Sequence, residues 1–539
     1  MNDRAAGTDE VSLIRLHPSA ASSDRNLERP ADEACRQVCE ALRSDGRPSV
    51  EAVERSGAFA ARVGAECFGV RDPLGMRPFY YSCDGATLKS SERLAEVVGD
   101  GEPALDEREV ARFLIGRGVR RDATLAVHVR KLPAGHGLHV DAKGRLKISR
   151  YWRPEDGEPR EISLAAATAE LRTLVAAAID REIGPDPGVH LSGGLDSAAV
   201  AALLRRALAS RGGGRVIGFA WQPPRGGGDG GPASDVDREN RLIDAVATHC
   251  GVSPRYAAPT VEDVLTTLRI DPVRHETAML LHEWSVLRSA REAGVRTIFS
   301  GWGGDQFCSC SATGLLADLL MRGQWRELFV RLWANEGGVV RGGAGMVRTL
   351  VRDPWRGLEC PPIEDTFVDR DFLRHSGLDL HPKFPLWGTR RRQLALLAHG
   401  GLQERMEGWA EAGERFGVRH VYPLLDRRVV EFVLSLPPTI FSGGGEHRRL
   451  LRHMLGDDLP PALRGPLSKE EPVRLAGLLR ALRGALTELG AELRQRRTQP
   501  ARARFLDFAR LSQALEPAAL AARTTGWAKL IAAVQFLNL

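Results

Sequence analysis

Short apolar runs alternate with helical patterns through the middle of the chain. Three of the runs read as buried strands: Val189–Leu191, Val216–Trp221 and Val295–Phe299. Apolar residues recur at helical spacing over three further stretches: Ile162–Ile183, Ala198–Leu204 and Asp237–His249. Strands and helices that alternate in this way predict a doubly wound α/β domain with a parallel sheet. Ligands in such sheets bind at the carboxyl ends of the strands.

The front of the chain has a different texture. Gly57–Val63 and Ala65–Val70 predict short strands, and Arg71–Tyr81 contains a Pro/Gly turn between strands. At 539 residues the chain is too long for a single core. We therefore predict two domains, at residues 1–155 and 160–539.

Three other stretches carry weaker patterns. Asp32–Arg43 predicts a helix, and Pro223–Pro232 is so rich in Gly and Pro that it predicts a mobile loop or lid. Residues 314–415 predict helices with Arg-rich faces and Pro/Gly breaks. Their chemistry cannot be assigned from the pattern.

Composition and charge exclude several classes of function. With 43% apolar and 27% charged residues, the chain has the composition of a soluble enzyme. The net charge is +6, but acids and bases alternate, which favours a solvated surface over a nucleic-acid interface. No apolar run approaches the ~20 residues of a membrane span, and the start of the chain has no apolar signal region. We therefore expect a cytoplasmic protein that binds neither nucleic acid nor membrane.

The cysteines fit the same compartment. Eight cysteines in a chain of this size, without a secretion signal, predict reduced thiols. Cys35 and Cys39 form one close pair, and Cys308 and Cys310 form another. Neither pair has a second Cys/His pair at zinc-finger spacing, so we expect no structural zinc.

The first strand of the parallel sheet runs into Ser192-Gly193-Gly194-Leu195-Asp196-Ser197 and then into an Ala/Leu-rich helix. Two glycines let the backbone curl, and its N–H groups join the positive end of the helix dipole to form an anion hole. The loop suits a phosphate or pyrophosphate. No Gly-Lys-Ser/Thr follows, which excludes a Walker loop.

Ser-Gly-Gly-Leu-Asp-Ser resembles the pyrophosphate loop of the ATP pyrophosphatases, enzymes that activate a carboxylate or carbonyl as its adenylate. The alternative is a glycine-rich turn without a ligand. The resemblance implies ATP as cofactor and a nucleotide site made of the loop and a residue of the next strand: Leu191, Ser192, Gly193, Gly194, Leu195, Asp196, Ser197 and Phe219.

A second loop follows the next parallel strand. Ser300-Gly301-Trp302-Gly303-Gly304-Asp305-Gln306 resembles the Ser-Gly-x-Gly-x-Asp-Glu signature of asparagine synthetases. The likeness adds four residues to the implied nucleotide site: Ser300, Gly301, Trp302 and Gly303. Asp196 and Asp305 would face one crevice as catalytic residues and, with phosphate oxygens, as ligands of Mg²⁺. Gln306 stands where the family has Glu, so the resemblance carries no second carboxylate to this position.

The C-terminal motifs continue the likeness. Tyr422–Phe432, Gly445–Arg452 and Leu467–Pro472 occur in the order that asparagine-synthetase relatives have, which ends in a lysine that touches the phosphates and the adenylate. Lys469 takes that place and is the third implied catalytic residue; a fixed ammonium there would offset charge on the α-phosphate. The alternative is an ordinary surface lysine.

The front hairpin Arg71–Tyr81 resembles the class II glutamine amidotransferase domain of asparagine synthetases. Glutaminase chemistry there needs a cysteine at the mature N-terminus, whereas position 2 is Asn. We therefore expect a degenerate α+β domain, a β-sandwich of the N-terminal-nucleophile (Ntn) amidotransferase type. An α/β doubly wound parallel-sheet ATP-pyrophosphatase domain with helical insertions would follow it.

Three chemistries share this scaffold: asparagine synthesis, β-lactam closure and lasso-peptide cyclisation. β-Lactam synthetases carry a tyrosine at the place of Trp302, and an indole N–H cannot accept a proton. The motifs around Trp302 and Tyr422 resemble the lasso-peptide cyclases most. They imply a macrolactam synthetase that adenylates an Asp or Glu side chain of a precursor core peptide and joins it to the peptide's N-terminal amine. Trp302 reads equally as a packing residue or as a wall of the peptide site.

Several points stay open. The group that removes the amine proton is not identified; Glu404, Glu407, Glu411 and Glu414, on one predicted helix, are unranked candidates. Family resemblance also implies a separate leader-binding protein and a leader protease as partners. The alternatives are a small-molecule amide ligase of the asparagine or β-lactam synthetase type, and a non-catalytic scaffold of a biosynthetic complex.

Overall fold

The fold is taken from a computed structural model. It describes residues 11–15, 28–44, 47–56, 58–85, 87–221, 234–277, 280–310, 314–336, 366–378, 388–443, 446–458, 460–465, 475–496 and 500–538. The predicted loop Pro223–Pro232, together with Asn2 and Lys469, lies outside these residues.

The front of the chain forms two antiparallel sheets. Its elements are β1 (Val11–Arg15), α1 (Glu28–Ser44), α2 (Val50–Ser56), β2 (Phe59–Val63), β3 (Glu66–Val70), β4 (Tyr80–Asp84), β5 (Thr87–Ser91), α3 (Leu94–Val98), α4 (Glu107–Leu114), β6 (Arg130–Lys131), β7 (His136–Val140) and β8 (Leu146–Arg150). The strand orders are β1-β2-β3-β7-β8 and β5-β4-β6. Phe79 and Tyr81 from one sheet pack with Ala60, Cys67 and Leu138 from the other, which gives a sandwich. The predicted helix and strands are confirmed.

The rest of the chain is α/β. Its first elements are α5 (Leu164–Glu182), β9 (Gly188–His190), α6 (Leu195–Ala209), β10 (Ile217–Ala220), α7 (Ser234–Cys250), β11 (Ser253–Tyr256), α8 (Val261–Leu268), α9 (Glu283–Glu292), β12 (Thr297–Phe299), α10 (Leu315–Met321), α11 (Trp325–Glu336), α12 (Arg370–His375), α13 (Thr389–His399), α14 (Gly401–Phe416) and β13 (Arg419–Val421). The later elements are α15 (Arg427–Ser435), β14 (Ser442–Gly443), β15 (Glu446–His447), α16 (Arg449–Leu455), α17 (Leu475–Gln495), α18 (Phe508–Ala514), α19 (Pro517–Ala522) and α20 (Trp527–Leu537).

Five of these strands form the parallel sheet that the pattern predicts, in the order β11-β10-β9-β12-β13. The chain passes from β9 outward to β11 and later returns to β12 on the other side of β9. The strand order therefore reverses between β9 and β12, and the crevice at their carboxyl ends is where such sheets bind ligands. Both predicted glycine loops leave the sheet at this point.

The last helices build a second core against the front of the chain. Leu482, Leu486 and Leu530 are buried together with Val110 and Leu114 of α4. An ion pair between Arg502 and Asp271, at 2.6 Å, ties the same region to the end of α8. Residues beyond about 475 thus serve to join the two parts of the chain.

The seven cysteines among the described residues are free thiols. No helix in the described part of the chain is long and apolar enough to cross a membrane. The predicted boundary between residues 155 and 160 stays a prediction.

Candidate active site

The loop Ser192–Ser197 is closed by its own two hydroxyl groups. Ser192 Oγ and Ser197 Oγ lie 2.9 Å apart, and Ser197 Oγ donates to the carbonyl oxygens of Ser192 at 3.0 Å and Gly194 at 3.1 Å. Ser197 Oγ also accepts from the Ser192 N–H at 3.2 Å. The six residues are therefore held as one turn before any ligand binds.

The helix that follows begins without a side-chain cap. Gly194 occupies the N-cap position of α6, and no side chain accepts from the first N–H groups. These N–H groups have no partner within the helix, so the uncapped start is suited to an anion. Several other helix starts differ; α5, for example, is capped by the Ser163 side chain.

The implied nucleotide-binding residues beside the loop are buried. Leu191 and Leu195 are core residues, and a Cβ at Gly193 would lie only 3.0 Å from Leu242. Phe219 is also fully buried, and its ring packs against Gly188. Any contact of Phe219 with a nucleotide would therefore involve its main chain.

The second loop presses against the first. A Cβ at Gly301 would lie 2.7 Å from the main-chain carbon of Asp196, and one at Gly304 would lie 2.4 Å from Asp196 Cγ. Gly303 has φ +91°, and a Cβ there would overlap Leu425. Ser300 is buried, and its N–H donates to Val421 at 2.8 Å. The glycines of this loop are thus required by close approach to Asp196 and to the Tyr422-Pro423-Leu424-Leu425 segment.

Asp196 and Asp305 differ in exposure and partners. Asp196 is 9% exposed, at the start of α6, whereas the Asp305 side chain is 42% exposed and pairs with Arg448 at 2.7 Å. Carboxylates from the ends of two neighbouring strands, next to a phosphate loop, have the donor chemistry that Mg²⁺ prefers. The residues therefore fit the ion, provided that Asp305 exchanges its arginine for it.

Trp302 adjoins a layer of aromatic side chains through Arg405. The Arg405 guanidinium lies 4.0 Å from the centre of the Trp302 ring and 4.3 Å from that of Trp409. Trp409 in turn contacts His190, His420 and Tyr422. Arg405 thus connects the second loop to the floor of the crevice.

Sequence reasoning missed the group beneath this layer. Glu283 Oε1 lies 3.1 Å from His190 Nε2 and 2.8 Å from His420 Nε2, and Glu283 Oε2 accepts from Trp221 Nε1 at 2.9 Å. Burial alone would raise the pKa of Glu283, but the two histidines hold it well below its usual range. Burial lowers the pKa of His190 against the effect of Glu283. The one available signal was a histidine inside the apolar run Val189–Leu191.

The three side chains have the donor set of a metal site, and no other such group of three occurs in the described part of the chain. Metal-bound imidazoles almost always donate their second N–H to an acceptor. Neither His190 Nδ1 nor His420 Nδ1 has a hydrogen-bond partner among the described residues. A hydrogen-bonded cluster therefore describes these residues better than a metal centre.

Comparison with known proteins fits the geometry of the two loops. Residues 170–536 match the asparagine synthase family, and residues 37–152 match a glutamine amidotransferase domain. The chain belongs to the asparagine synthase family.

Individual relatives are distant. Asparagine synthetase [glutamine-hydrolyzing] 3 of Bacillus subtilis is 32% identical over 157 residues, 28% of this chain and 25% of the relative. Asparagine synthetase [glutamine-hydrolyzing] 1 of the same species is 23% identical over 141 residues, 26% of this chain and 22% of the relative. The matches span only about a quarter of these relatives. A U34-tRNA thiolase from Methanococcus maripaludis covers 66% of the chain at TM-score 0.23 and 13% identity, too weak a likeness to carry an argument.

The four glutamates of α14 are separated by their surroundings. Glu407 accepts from Arg71 at 2.5 Å and from Lys131 at 2.6 Å, Glu411 accepts from the Glu276 N–H at 2.9 Å, and Glu414 accepts from Arg93. Glu407 and Glu414 thus pair with the amidotransferase-like region, whereas Glu411 pairs within the α/β part. All three carboxylates are engaged, which leaves them poorly placed to act as the base.

Glu404 lines a cavity of about 340 Å³ between α13, α14 and the amidotransferase-like region. Trp152, Val119, Leu397 and Gln403 contribute to the same walls. Burial, with Glu276 and Glu407 adding to it against Lys131, raises the pKa of Glu404 to about 8. Lys469, the implied catalytic lysine, is outside the described residues, so its role stays a prediction.

Proposed function

We propose that this member of the asparagine synthase family is a lasso-peptide cyclase. It would adenylate an Asp or Glu side chain of a core peptide and close the ring with the peptide's own N-terminal amine. The observation that carries ATP-dependent amide formation is the Ser192–Ser197 loop, an uncapped helix start against which Gly301 and Gly304 bring the Asp305 loop. The narrower choice of a peptide substrate rests on the surroundings of Trp302.

The thiols of the amidotransferase-like region favour a peptide amine over glutamine as the source of nitrogen. A glutaminase needs a reactive thiolate, and burial acts against one. In the amidotransferase-like region, burial and Cys35 raise the pKa of Cys39 to about 12, and burial also raises the pKa of Cys83. The thiols of Cys39 and Cys83 are thus unsuited to hydrolyse glutamine.

Trp302 argues against β-lactam chemistry. The resemblance places a tyrosine of β-lactam synthetases at this position, as part of the proton-removing pair. Here the indole is stacked on Arg405, and its N–H is a donor only. A flat indole and guanidinium surface is instead suited to contact a peptide.

The reaction can be written from the residues of the chain. The N–H groups at the start of α6 hold the phosphates of ATP while the substrate carboxylate oxygen attacks the α-phosphorus and pyrophosphate leaves. Mg²⁺, when bound by Asp196 and Asp305, would offset phosphate charge. The amine then attacks the acyl carbon, AMP leaves with the former carboxylate oxygen, and the amine proton passes to a base. Lys469 would stabilise the developing charge. Holding both ends of one peptide together gives effective molarities of ~10⁵ M or more.

Partners and location follow from the same proposal. A core peptide reaches the enzyme only after its leader is recognised and removed, so a leader-binding protein and a leader protease are proposed partners. Because the reaction needs ATP and the described cysteines are free thiols, we infer a cytoplasmic location.

An asparagine-synthetase type of ligase is the second candidate, since the family includes it. It would also form AMP, but from a free amino acid with ammonia. Substrate choice therefore separates the two candidates, and both differ from a non-catalytic scaffold, which would turn over no ATP.

The test uses ATP, Mg²⁺ and a leader-free peptide with a free amine and an internal Asp. We expect AMP, pyrophosphate and a peptide lighter by one water. An N-acetylated peptide should yield no ring, and Asp305→Asn should abolish AMP formation, whereas Asp457→Asn, an exposed carboxylate, serves as control. Release of ADP, or AMP formed only with free aspartate and ammonia, contradicts the proposal.

A further inference from the structure

Glu283 joins three strands of the parallel sheet at their carboxyl ends. Its fully buried carboxylate accepts from His190, the last residue of β9, from His420 in β13 and from Trp221, the first residue after β10. Hydrogen bonds to a buried charge are among the strong ones, and losing one partner leaves the others unsatisfied. The carboxylate therefore fixes the orientation of the Trp221 ring.

A continuous set of ring contacts leads from this carboxylate to the second loop. The His190 ring lies 4.7 Å from Trp221 and 5.1 Å from Trp409, measured between centres. The Arg405 guanidinium lies over the Trp409 ring and over the Trp302 ring. Of these residues Trp221, Arg405 and Trp302 are only half-buried. We name these three residues the indole shelf.

The indole shelf reaches from the α9 and α14 side of the sheet to the loop that presses on Asp196, since Trp302 lies between Gly301 and Gly304. Neighbouring residues of a strand point to opposite faces, and His190 points to Glu283 of α9 and Trp409 of α14. Helix α6, with the phosphate-binding N–H groups, packs on α5 and α7 instead. An acyl-adenylate at the phosphate loop would therefore have its acyl group next to Trp302, which belongs to the loop that contacts Asp196.

We propose that the indole shelf is the acceptor subsite, which receives the N-terminal segment of a peptide, and that Glu283 is its positioning residue. This inference rests on the proposed function and names the part of the site that holds the nucleophile. Indole faces and a guanidinium plane contact a peptide group or an apolar side chain over a wide area. Ammonia or hydroxylamine, which is too small to use such contacts, would react without them.

The experiment separates adenylation from ring closure. With core peptide and ATP, added hydroxylamine converts the acyl-adenylate to a hydroxamate and AMP, whereas the N-terminal amine converts it to the macrolactam and AMP. Both products are measured by mass in one reaction, and their ratio reports how well the amine is held. A purely structural defect lowers both products together.

Two variants test the positioning role. Glu283→Gln keeps the shape but turns an N–H₂ group toward one of three N–H donors, and Trp221→Phe keeps a ring but removes its hydrogen bond. We expect each to raise the ratio of hydroxamate to macrolactam by about tenfold or more, because a misplaced reacting group loses on the order of a hundredfold in rate. Glu66→Gln, which alters a His139–Glu66 contact of 3.1 Å far from the site, should leave the ratio unchanged.

Three results overturn the inference. A parallel fall of both products in both variants means that Glu283 only supports the fold. About one metal ion per wild-type chain, lost in Glu283→Gln, means that the cluster is a metal site. If the wild-type enzyme forms hydroxamate but no macrolactam from any core peptide, the proposed function itself is wrong. This result is distinct from the first two.

Discussion

Arg71 of the amidotransferase-like region donates to Glu407 of α14 at 2.5 Å, and each side chain is 1% exposed. Arg71 also donates to the carbonyl oxygens of Arg77 and Leu132, both at 2.8 Å. Lys131 adds a second cation 2.6 Å from Glu407 and 2.7 Å from Glu276. The arginine that opens the Arg71–Tyr81 hairpin motif therefore serves here to hold two regions of the chain together.

Removing the Glu407 charge should destabilise the protein strongly. Glu407→Gln leaves Arg71 and Lys131 buried with one carboxylate between them, and breaking a buried pair from one side costs about 3–5 kcal/mol. Unfolding in urea, followed by intrinsic fluorescence, measures the loss.

The same helix provides the control. Glu414 pairs with Arg93 across the same two regions, but the side chains are 32% and 54% exposed. Glu414→Gln should therefore lower the free energy of unfolding by only about 0–1 kcal/mol. Equal losses for the two variants would mean that burial does not set the strength of this interface.

The sequence predicts those site residues whose chemical role is evident from the local motif alone. Ser192–Ser197 and Ser300–Asp305 could be found because glycines and an acid directly follow apolar strands, and the topology then brings them together. Glu283 could not be found, because it stands 93 residues from His190 and 137 from His420, and each residue alone is ordinary. Only strand order places them side by side.

The α14 glutamates show a second limit of the sequence. Helical spacing predicts that Glu404, Glu407, Glu411 and Glu414 lie near one another, as they do. Helical spacing does not show which residues the glutamate face of α14 contacts, because that depends on the packing of α14 against Arg71, Lys131 and Arg93. Most of the carboxylates that helical spacing makes candidates for the base are therefore already engaged in contacts with neighbouring residues.

The hydroxyl of Ser197 should be needed for ATP binding. In Ser197→Ala the loop loses four hydrogen-bond contacts, to Ser192 N, Oγ and O and to Gly194 O. Each unsatisfied buried group costs about 1–3 kcal/mol, so we expect the KM for ATP to rise at least about tenfold. Pyrophosphate release at varied ATP measures it. Ser210→Ala, which removes an exposed hydroxyl bond at the other end of α6, is the control and should leave KM unchanged.

The close approach of the two loops predicts a strong effect of a single methyl group. In Gly304→Ala the new Cβ would lie 2.4 Å from Asp196 Cγ, so the carboxylate must move. We expect AMP formation to fall on the order of a hundredfold, with the melting temperature little changed. Gly184→Ala, where the new Cβ meets nothing within 4 Å, is the matched control. Full activity of Gly304→Ala would show that Asp196 is not held in its active position by this contact.

Glu404 predicts a dependence of stability on pH. Burial raises the pKa of its carboxyl from the model-peptide range to about 8, so the folded protein keeps a proton that the unfolded chain releases above about pH 4. This group therefore favours the folded state at low pH. The free energy of unfolding falls by about 1.4 kcal/mol per pH unit as pH rises toward 8, and above that pH this group lowers it no further. Glu404→Gln cannot titrate, and its free energy of unfolding should fall less than that of the wild type between pH 5.5 and 8 in urea melts at ~pH 5.5, 7 and 8.5. Because Glu414 is partly exposed and pairs with Arg93, Glu414→Gln leaves this proton in place and should retain the slope. Parallel pH profiles for wild type and Glu404→Gln would mean that the pKa of Glu404 is near its ordinary value and that water enters the cavity.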